Sequence, residues 1–196
     1  MTGRARRVDP AERRARRAGV DDPAIVTEAA AAFLAVRPRS VEETRRRLRH
    51  LGYRHDLVEV VVTRFLELGF LDDEAFARTW VESRDRARPR GASALRGELA
   101  LKGVDRAVVD AVMEERDAPS GEGTVLGEVG GRAPGPAPDE EAAARLLARK
   151  GAALQREVDP RKRRQRAYAL LARNGFSPDV IALALGREAL GEAADD

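Results

Sequence analysis

An internal repeat constrains this chain more than any other feature of its sequence. A Pro, a Leu and a Gly recur at matched spacing, and Pro to Gly is 14 residues in two copies and 15 in the third. The copies run from Pro38 through Leu48 to Gly52, from Pro89 through Leu99 to Gly103, and from Pro160 through Leu171 to Gly175. Past each Gly, apolar residues fall at +5, +6, +9 and +10, which makes one stripe on a helix. The repeat therefore predicts three equivalent helical units.

The predicted fold class is all-α, with three tandem three-helix repeats stacked as an elongated, curved array of right or left hand. Aromatic residues make up only 4% of the chain, and helix formers dominate. A Gly- and Pro-rich stretch without helical periodicity separates the second repeat from the third. We predict a basic flexible tail at 1–21, repeats at 22–68, 69–117 and 139–187, an inserted loop at 118–138, and an acidic flexible tail at 188–196.

Capping signals predict where the helices begin and end. The leading helix of the first repeat is predicted over Asp22–Val36, with Ile25, Ala29 and Phe33 on its inward face. The other leading helices are predicted over Asp72–Ala87 and Asp139–Leu154, and the middle helices start at Ser40, Gly91 and Asp159. Ser40 and Glu43 form a capping-box pattern. Gly52, Gly103 and Gly175 fit the position after a helix, where a positive φ is needed.

Charge separates by helix position within the repeats. The three middle segments carry net charges of +4, +3 and +5, whereas the third helices of the first two repeats carry −2 each. Equivalent positions recur along one side of a stacked array, so we expect a basic stripe that contacts a polyanion or an acidic protein surface. Solvation of the outer helix faces is the alternative explanation. The predicted contact residues, chosen from charge alone, are Arg45, Arg46, Arg49, Arg88, Arg90, Arg161, Arg163 and Arg164.

The residue types that most catalytic and metal sites require are scarce. The chain has no Cys, and its two histidines, His50 and His55, have no further metal-ligand pattern beside them. The acidic run Asp72–Glu74 is expected to cap a helix rather than to bind a metal. No phosphate-binding Gly loop and no apolar run of ~20 residues, the length that spans a bilayer, is present. We therefore expect no catalytic residue, no metal, no cofactor and no membrane segment.

The stretch between the first two repeats resembles a known family. Gly69-Phe70-Leu71-Asp72-Asp73, followed by Phe76-Ala77, is similar to a turn and helix start typical of RecX proteins. Arg39-Ser40, Arg90-Gly91 and Asn174-Gly175-Phe176 resemble the openings and turns of the three RecX repeats, so the resemblance covers about residues 24–186. We expect this motif to be scaffold: Gly69 ends a helix, Phe70 and Leu71 pin the chain, Asp72 or Asp73 caps the next helix, and Phe76 faces inward.

The resemblance implies a function as well as a fold. RecX proteins are cytoplasmic modulators, mostly inhibitors, of RecA in homologous recombination, DNA repair and the SOS response, and they are pictured in the groove of the RecA filament. The expectation is a monomeric, non-enzymatic regulator that binds the filament, with weak non-specific DNA contact. Two alternatives stay open, a helical DNA-binding regulator and a helical scaffold for another protein. The acidic third helices disfavour the first, because phosphates repel them.

Overall fold

A computed structural model of the chain describes residues 9–118 and 137–192, with side chains described to residue 187. Every regular element in these residues is an α-helix. A short helix, α1 (Pro10–Ala18), precedes three groups of three: α2 (Pro23–Leu34), α3 (Val41–Leu51) and α4 (His55–Glu67); α5 (Asp73–Ala87), α6 (Ala92–Leu101) and α7 (Arg106–Asp117); α8 (Pro138–Gln155), α9 (Pro160–Arg173) and α10 (Pro178–Glu192). The all-α fold of three three-helix repeats is confirmed.

The described residues divide into two compact units. One holds residues 9–76 and 102–105, and the other holds residues 77–101, 106–118 and 137–192. In the first unit, α2, α3 and α4 pack against one another, as α8, α9 and α10 do in the second, where α6 also packs on α7. The start of α5, to Phe76, and the turn at 102–105 thus belong to the same unit as the first repeat, whereas the rest of α5 belongs to the other unit.

The repeated apolar stripe forms the core of each repeat. The residues at +6, +9 and +10 after the Gly are buried in all three repeats, and the residue at +5 is half-buried. The repeated Leu of each middle helix is fully buried: Leu48, Leu99 and Leu171. The residue directly after each Gly is also buried: Tyr53, Val104 and Phe176. Removing these side chains from water is the main stabilising contribution to each repeat.

Helix ends follow the predicted chemistry at most positions. The Ser40 hydroxyl accepts a hydrogen bond from Glu43 N at 3.0 Å, and the Glu43 carboxylate accepts from Ser40 N at 3.4 Å, so the capping box is confirmed. Asp22 caps α2 and Asp159 caps α9, each followed by Pro at the first helical position. Gly52, Gly103 and Gly175 have φ values of 103°, 77° and 82°, as predicted.

The structure differs from the sequence-based predictions at both chain ends and on one helix face. Residues 10–18 of the predicted flexible tail form α1, and α10 continues to Glu192 within the predicted acidic tail. Residues 1–8, 119–136 and 193–196, which include most of the predicted insert, lie outside the described residues. On α2 the inward face is one residue away from the prediction, because Val26 and Ala30 are fully buried while Ile25 is 45% exposed.

Candidate binding surface

The first repeat uses its predicted contact arginines to bind its own carboxylates. Arg45 and Arg49 of α3 both donate to the carboxylate of Glu59 on α4, each at 2.9 Å. Burial alone would raise the pKa of Glu59, but the hydrogen bonds from Arg49 and Arg45 lower it overall. Arg46 pairs with Glu42 one turn earlier at 3.1 Å. Arg45 and Arg49 therefore link α3 to α4, Arg46 pairs within α3, and two carboxylates offset part of the charge of the three arginines.

The second repeat divides its two predicted arginines between two roles. Arg90 donates to the Asn174 side chain and lies 3.4 Å from the Glu98 carboxylate, so it joins α9 to the start of α6. Glu98 also accepts from the indole N–H of Trp80 at 2.9 Å and from Arg84 at 2.6 Å. Arg88 is exposed and makes no hydrogen bond or ion pair with any described side chain. Arg90 is thus a packing residue, and Arg88 stays available.

In the third repeat, the basic residues at the start of α9 have no acidic partner among the described side chains. Arg161 and Arg163 make no side-chain hydrogen bond or ion pair within residues 9–118 and 137–187, nor does Lys162 between them. Arg164 makes one long bond, 3.5 Å, to the Leu185 carbonyl. Arg166 is the first basic residue of α9 with an acidic partner, Glu157 at 2.8 Å. We call residues 161–164 the α9 basic cluster.

The position of the α9 basic cluster opposes helix stability. The cluster occupies the start of α9, where backbone N–H groups point outward and the macrodipole is positive. By contrast, α3 begins with Glu42 and Glu43, the charge that the dipole favours. Four cations at the positive end of a helix repel both the dipole and one another. The cluster is therefore better explained by an external anion than by folding.

The motif between the first two repeats is scaffold apart from its aromatic residue. Gly69 has φ of 71° and ends α4, while Leu71 and Phe76 are buried. Asp72 caps α5, since its carboxylate accepts from Glu74 N at 2.9 Å and Ala75 N at 3.0 Å. Phe70 touches Phe65 edge-on but is 65% exposed, so the expectation that it pins the chain is wrong.

Two acidic residues at the starts of leading helices act on a different helix from their own. Asp73 accepts from Val41 N of α3 at 2.9 Å, and Asp139 accepts from Ala92 N of α6 at 3.0 Å. Each therefore caps the middle helix of the preceding repeat. Burial raises the pKa of Asp73, partly offset by its bond from Val41. In the sequence, an Asp in the first turn of a helix predicts a cap for that same helix, so the bond to a neighbouring helix could not be predicted.

A buried ion-pair network, also missed from the sequence, joins three helices. Arg116 of α7 donates to both carboxylate oxygens of Asp85 on α5, at 3.0 and 3.1 Å, and to Asp139 of α8 at 2.7 Å. Its side chain is only 6% exposed. Desolvation lowers the pKa of Arg116, but the bonds to Asp85 and Asp139 outweigh it and the pKa is raised. The network joins α7 to α8 at the two ends of residues 118–137.

The described part of the chain contains no group of three or more His, Cys, Asp or Glu side chains placed to hold a metal ion. None of the described helices combines the length and apolarity that crossing a membrane requires. The α9 basic cluster, with Arg88, is therefore the best candidate for binding.

Family models match the second and third repeats, and relatives match most of the chain. The family model "RecX, second three-helix domain" matches residues 72–113, and "RecX, third three-helix domain" matches residues 139–185. A protein named regulatory protein RecX from Streptomyces coelicolor is 35% identical over 159 residues, 81% of this chain and 74% of the relative. Another from Thermobifida fusca is 35% identical over 153 residues, 78% and 72% of the two chains.

The fold is also found among solved structures. The crystal structure of RecX from Lactobacillus salivarius superposes with a TM-score of 0.67 at 19% identity, covering 87% of this chain and 98% of that one. At this identity the likeness supports the helical-repeat fold alone.

Proposed function

The chain belongs to the RecX family, and from that premise we propose that it is a cytoplasmic, monomeric regulator that binds the RecA–DNA filament. Binding restrains RecA's DNA-dependent ATPase and strand exchange, and through them recombination and the SOS response. The regulator is not an enzyme: it acts by occupying the filament. The names of its relatives, regulatory protein RecX, support this class of function.

The observation that carries the proposal is the uncompensated charge of the α9 basic cluster. A RecA filament holds DNA, whose phosphates present a continuous row of negative charge. Arg161, Arg163 and Arg164 are exposed or half-buried on one helix, and no described carboxylate neutralises them. Each cation that meets a phosphate releases a condensed counterion, which makes such binding favourable and dependent on salt. We assign the α9 basic cluster and Arg88 to the filament contact.

The arginines of the first repeat and Arg90 are expected to contribute little to this contact. Arg45 and Arg49 share Glu59, and releasing them to a partner would leave that carboxylate without its hydrogen bonds. Arg90 is held by Asn174. The proposed surface is therefore narrower than a stripe along all three middle helices.

A binding titration with a charge-matched control tests this assignment. RecA filaments are assembled on a fluorescent single-stranded oligonucleotide, and binding of the chain is measured at several salt concentrations. The test variant is R161Q/R163Q/R164Q. The control removes three exposed arginines that pair within their own helices, as R64Q/R86Q/R106Q.

The two variants have the same net charge, so only the position of the charge differs. The test variant should lose at least about tenfold in affinity. The slope of log binding constant against log salt concentration should fall in magnitude by roughly 2 to 3, since each lost phosphate contact removes ~0.7–0.9. The control should bind like the unchanged chain. Equal binding by both variants would contradict the assignment to α9. Sequence-specific binding to free duplex DNA would support a DNA-binding regulator instead.

A further inference from the structure

The three repeat glycines share a second property, a close approach by an earlier helix. A Cβ at Gly103 would collide with Glu42 near the start of α3, and a Cβ at Gly175 would collide with Ala94 near the start of α6. The start of one middle helix thus abuts the end of the next middle helix. This contact, which we call the glycine joint, connects successive repeats.

Gly52 is also approached closely, but by the middle of α1 and not by the start of a middle helix. A Cβ at Gly52 would lie 2.8 Å from the carbonyl oxygen of Arg14 and 2.9 Å from its Cα, both on α1. Arg17 of α1 donates to the Leu51 carbonyl at 3.4 Å and stacks on the Tyr53 ring. The helix α1 therefore occupies the glycine joint of the first repeat.

The sequence of α1 matches the start of one middle helix. Asp9-Pro10 aligns with Asp159-Pro160, Arg13-Arg14 with Arg163-Arg164, and Arg16 with Arg166. In both helices the Asp caps the first turn, with bonds of 3.0 Å to Ala11 N and 2.9 Å to Arg161 N. The middle helices of the first two repeats begin instead after Ser40 and Gly91. The first residues of α1 therefore resemble those of α9, although Arg17, which contacts the end of α3, aligns with the buried Ala167.

Within the described residues, the start of α9 differs from the other two middle-helix starts because it makes no hydrogen bond to the end of another middle helix. The Ser40 hydroxyl, before α3, donates to the Lys102 carbonyl at 2.6 Å, and Gly91 N, before α6, donates to the Asn174 carbonyl at 2.9 Å. Among the described residues no equivalent bond forms at the start of α9, which is capped by its own Asp159. The last turn of α3, at the Gly52 joint, presents carbonyl oxygens and the negative end of a helix dipole, which favour cationic side chains.

We propose that the Gly52 joint is a docking site for the start of α9 from a second copy of this chain, and that α1 is the internal segment that occupies it in the single chain. A tethered helix has an effective concentration of about millimolar, so α1 outcompetes a free copy at ordinary concentrations. The two joining surfaces differ, so the contact is heterologous and copies associate head to tail. Release of α1 lets a monomer bind further copies.

The variant A15P tests the proposal in the full chain. Proline in the interior of α1 costs ~3 kcal/mol of helix stability, and Ala15 is exposed and contributes nothing to the core. A15S, which keeps the helix, is the matched control. R17E is a second variant that leaves α1 helical and weakens its contact with the end of α3. Sedimentation velocity across a concentration series gives the mass of each variant.

Association should appear when α1 is released and should depend on α9. The expected result is a mass above one chain that rises with concentration for A15P, less steeply for R17E, and one chain for A15S. Adding R163E/R164E to A15P should return it to one chain. Mixing that combined variant with the unchanged chain should give a 1:1 dimer that grows no further, because one partner has only an open joint and the other only an open α9.

Two results would overturn the proposal. One is a monomer for both A15P and R17E at every concentration, while fluorescence of the single tryptophan, Trp80, shows the repeats still folded. The other is association of A15P that persists after the α9 charges are reversed, because the contact would then be unspecific.

Discussion

Replacing Arg116 by Ala is expected to destabilise the chain more than the loss of any other single arginine discussed above. The substitution removes three hydrogen bonds and leaves Asp85 and Asp139, both mostly buried, without their cation. Asp139 also caps α6 through Ala92 N, so the damage reaches a third element.

The magnitude follows from the burial of the network. Breaking a fully buried ion pair by removing one partner costs about 3–5 kcal/mol, because the remaining charge stays desolvated. Asp85 and Asp139 keep some access to water, which reduces this to about 2–4 kcal/mol. R116K keeps the charge but not the two-pronged geometry, so it should fall between R116A and the unchanged chain.

Urea unfolding measures the loss, followed by far-UV circular dichroism and by Trp80 fluorescence. Trp80 is the single tryptophan and lies on α5, the helix that carries Asp85, so it reports on the affected region. R106A is the control on the same helix: Arg106 is 94% exposed and pairs with Asp110 one turn away, which should change stability by less than ~0.5 kcal/mol. If R116A costs no more than R106A, the network does not stabilise the fold and the reasoning fails.

Three further changes test the joints between repeats by the same unfolding measurement. G103A should lower the free energy of unfolding by more than the ~1–2 kcal/mol that a left-handed backbone alone would cost, because its Cβ also collides with α3. G97A, in the open middle of α6, should raise the free energy of unfolding by ~0.5–1 kcal/mol. Equal effects of the two substitutions would contradict the joint. D73A should lower the free energy of unfolding by ~1–2 kcal/mol, because Val41 N loses its acceptor. D73N keeps an acceptor and removes only the charge of a carboxyl whose pKa is raised by burial, so its stability should stay within ~0.5 kcal/mol of the unchanged chain. A large loss in D73N would show that the charge itself is needed. Burial would raise the pKa of Glu43, but hydrogen bonds from Lys102 and Arg37 lower it overall. The ionised Glu43 therefore stabilises the fold at neutral pH, and this stabilisation is lost as the pH falls below ~4.3. E43Q should make the free energy of unfolding less dependent on pH in that range, and an unchanged dependence would refute this.

The sequence predicted the repeats well because one residue pattern served both local and global structure. Each repeated Gly ends a helix, and each apolar stripe is the inner face of the helix that follows. Where the local signal was weak, the prediction failed. The run Ala29–Ala32 makes the inward face of α2 ambiguous, and the stripe was placed on Ile25 instead of Val26.

The helix α1 could not be predicted from hydrophobic periodicity. It has no buried residue and fits its site through its backbone at Gly52 and through Arg14 and Arg17. A helix rich in arginine without an apolar stripe looks like a solvated tail in sequence. Its similarity to the start of α9 was the available signal.

The candidate surface was predicted only in part, because net charge per helix says nothing about pairing across helices. Arg45 and Glu59 are 14 residues apart on different helices, and only their packing shows that one neutralises the other. The same count gave similar charges to the middle segments of the first and third repeats. The structure separates them, since Arg45 and Arg49 of α3 pair with Glu59, whereas no described carboxylate pairs with the side chains of residues 161–164.

The central claim, that this chain restrains RecA, is tested most directly by a titration of RecA's DNA-dependent ATPase and strand exchange. The chain is added to RecA filaments from substoichiometric to equimolar amounts. We expect both activities to fall at substoichiometric levels, and R161Q/R163Q/R164Q to be less effective than the charge-matched control. Unchanged ATPase and strand exchange at equimolar protein would contradict the proposed function.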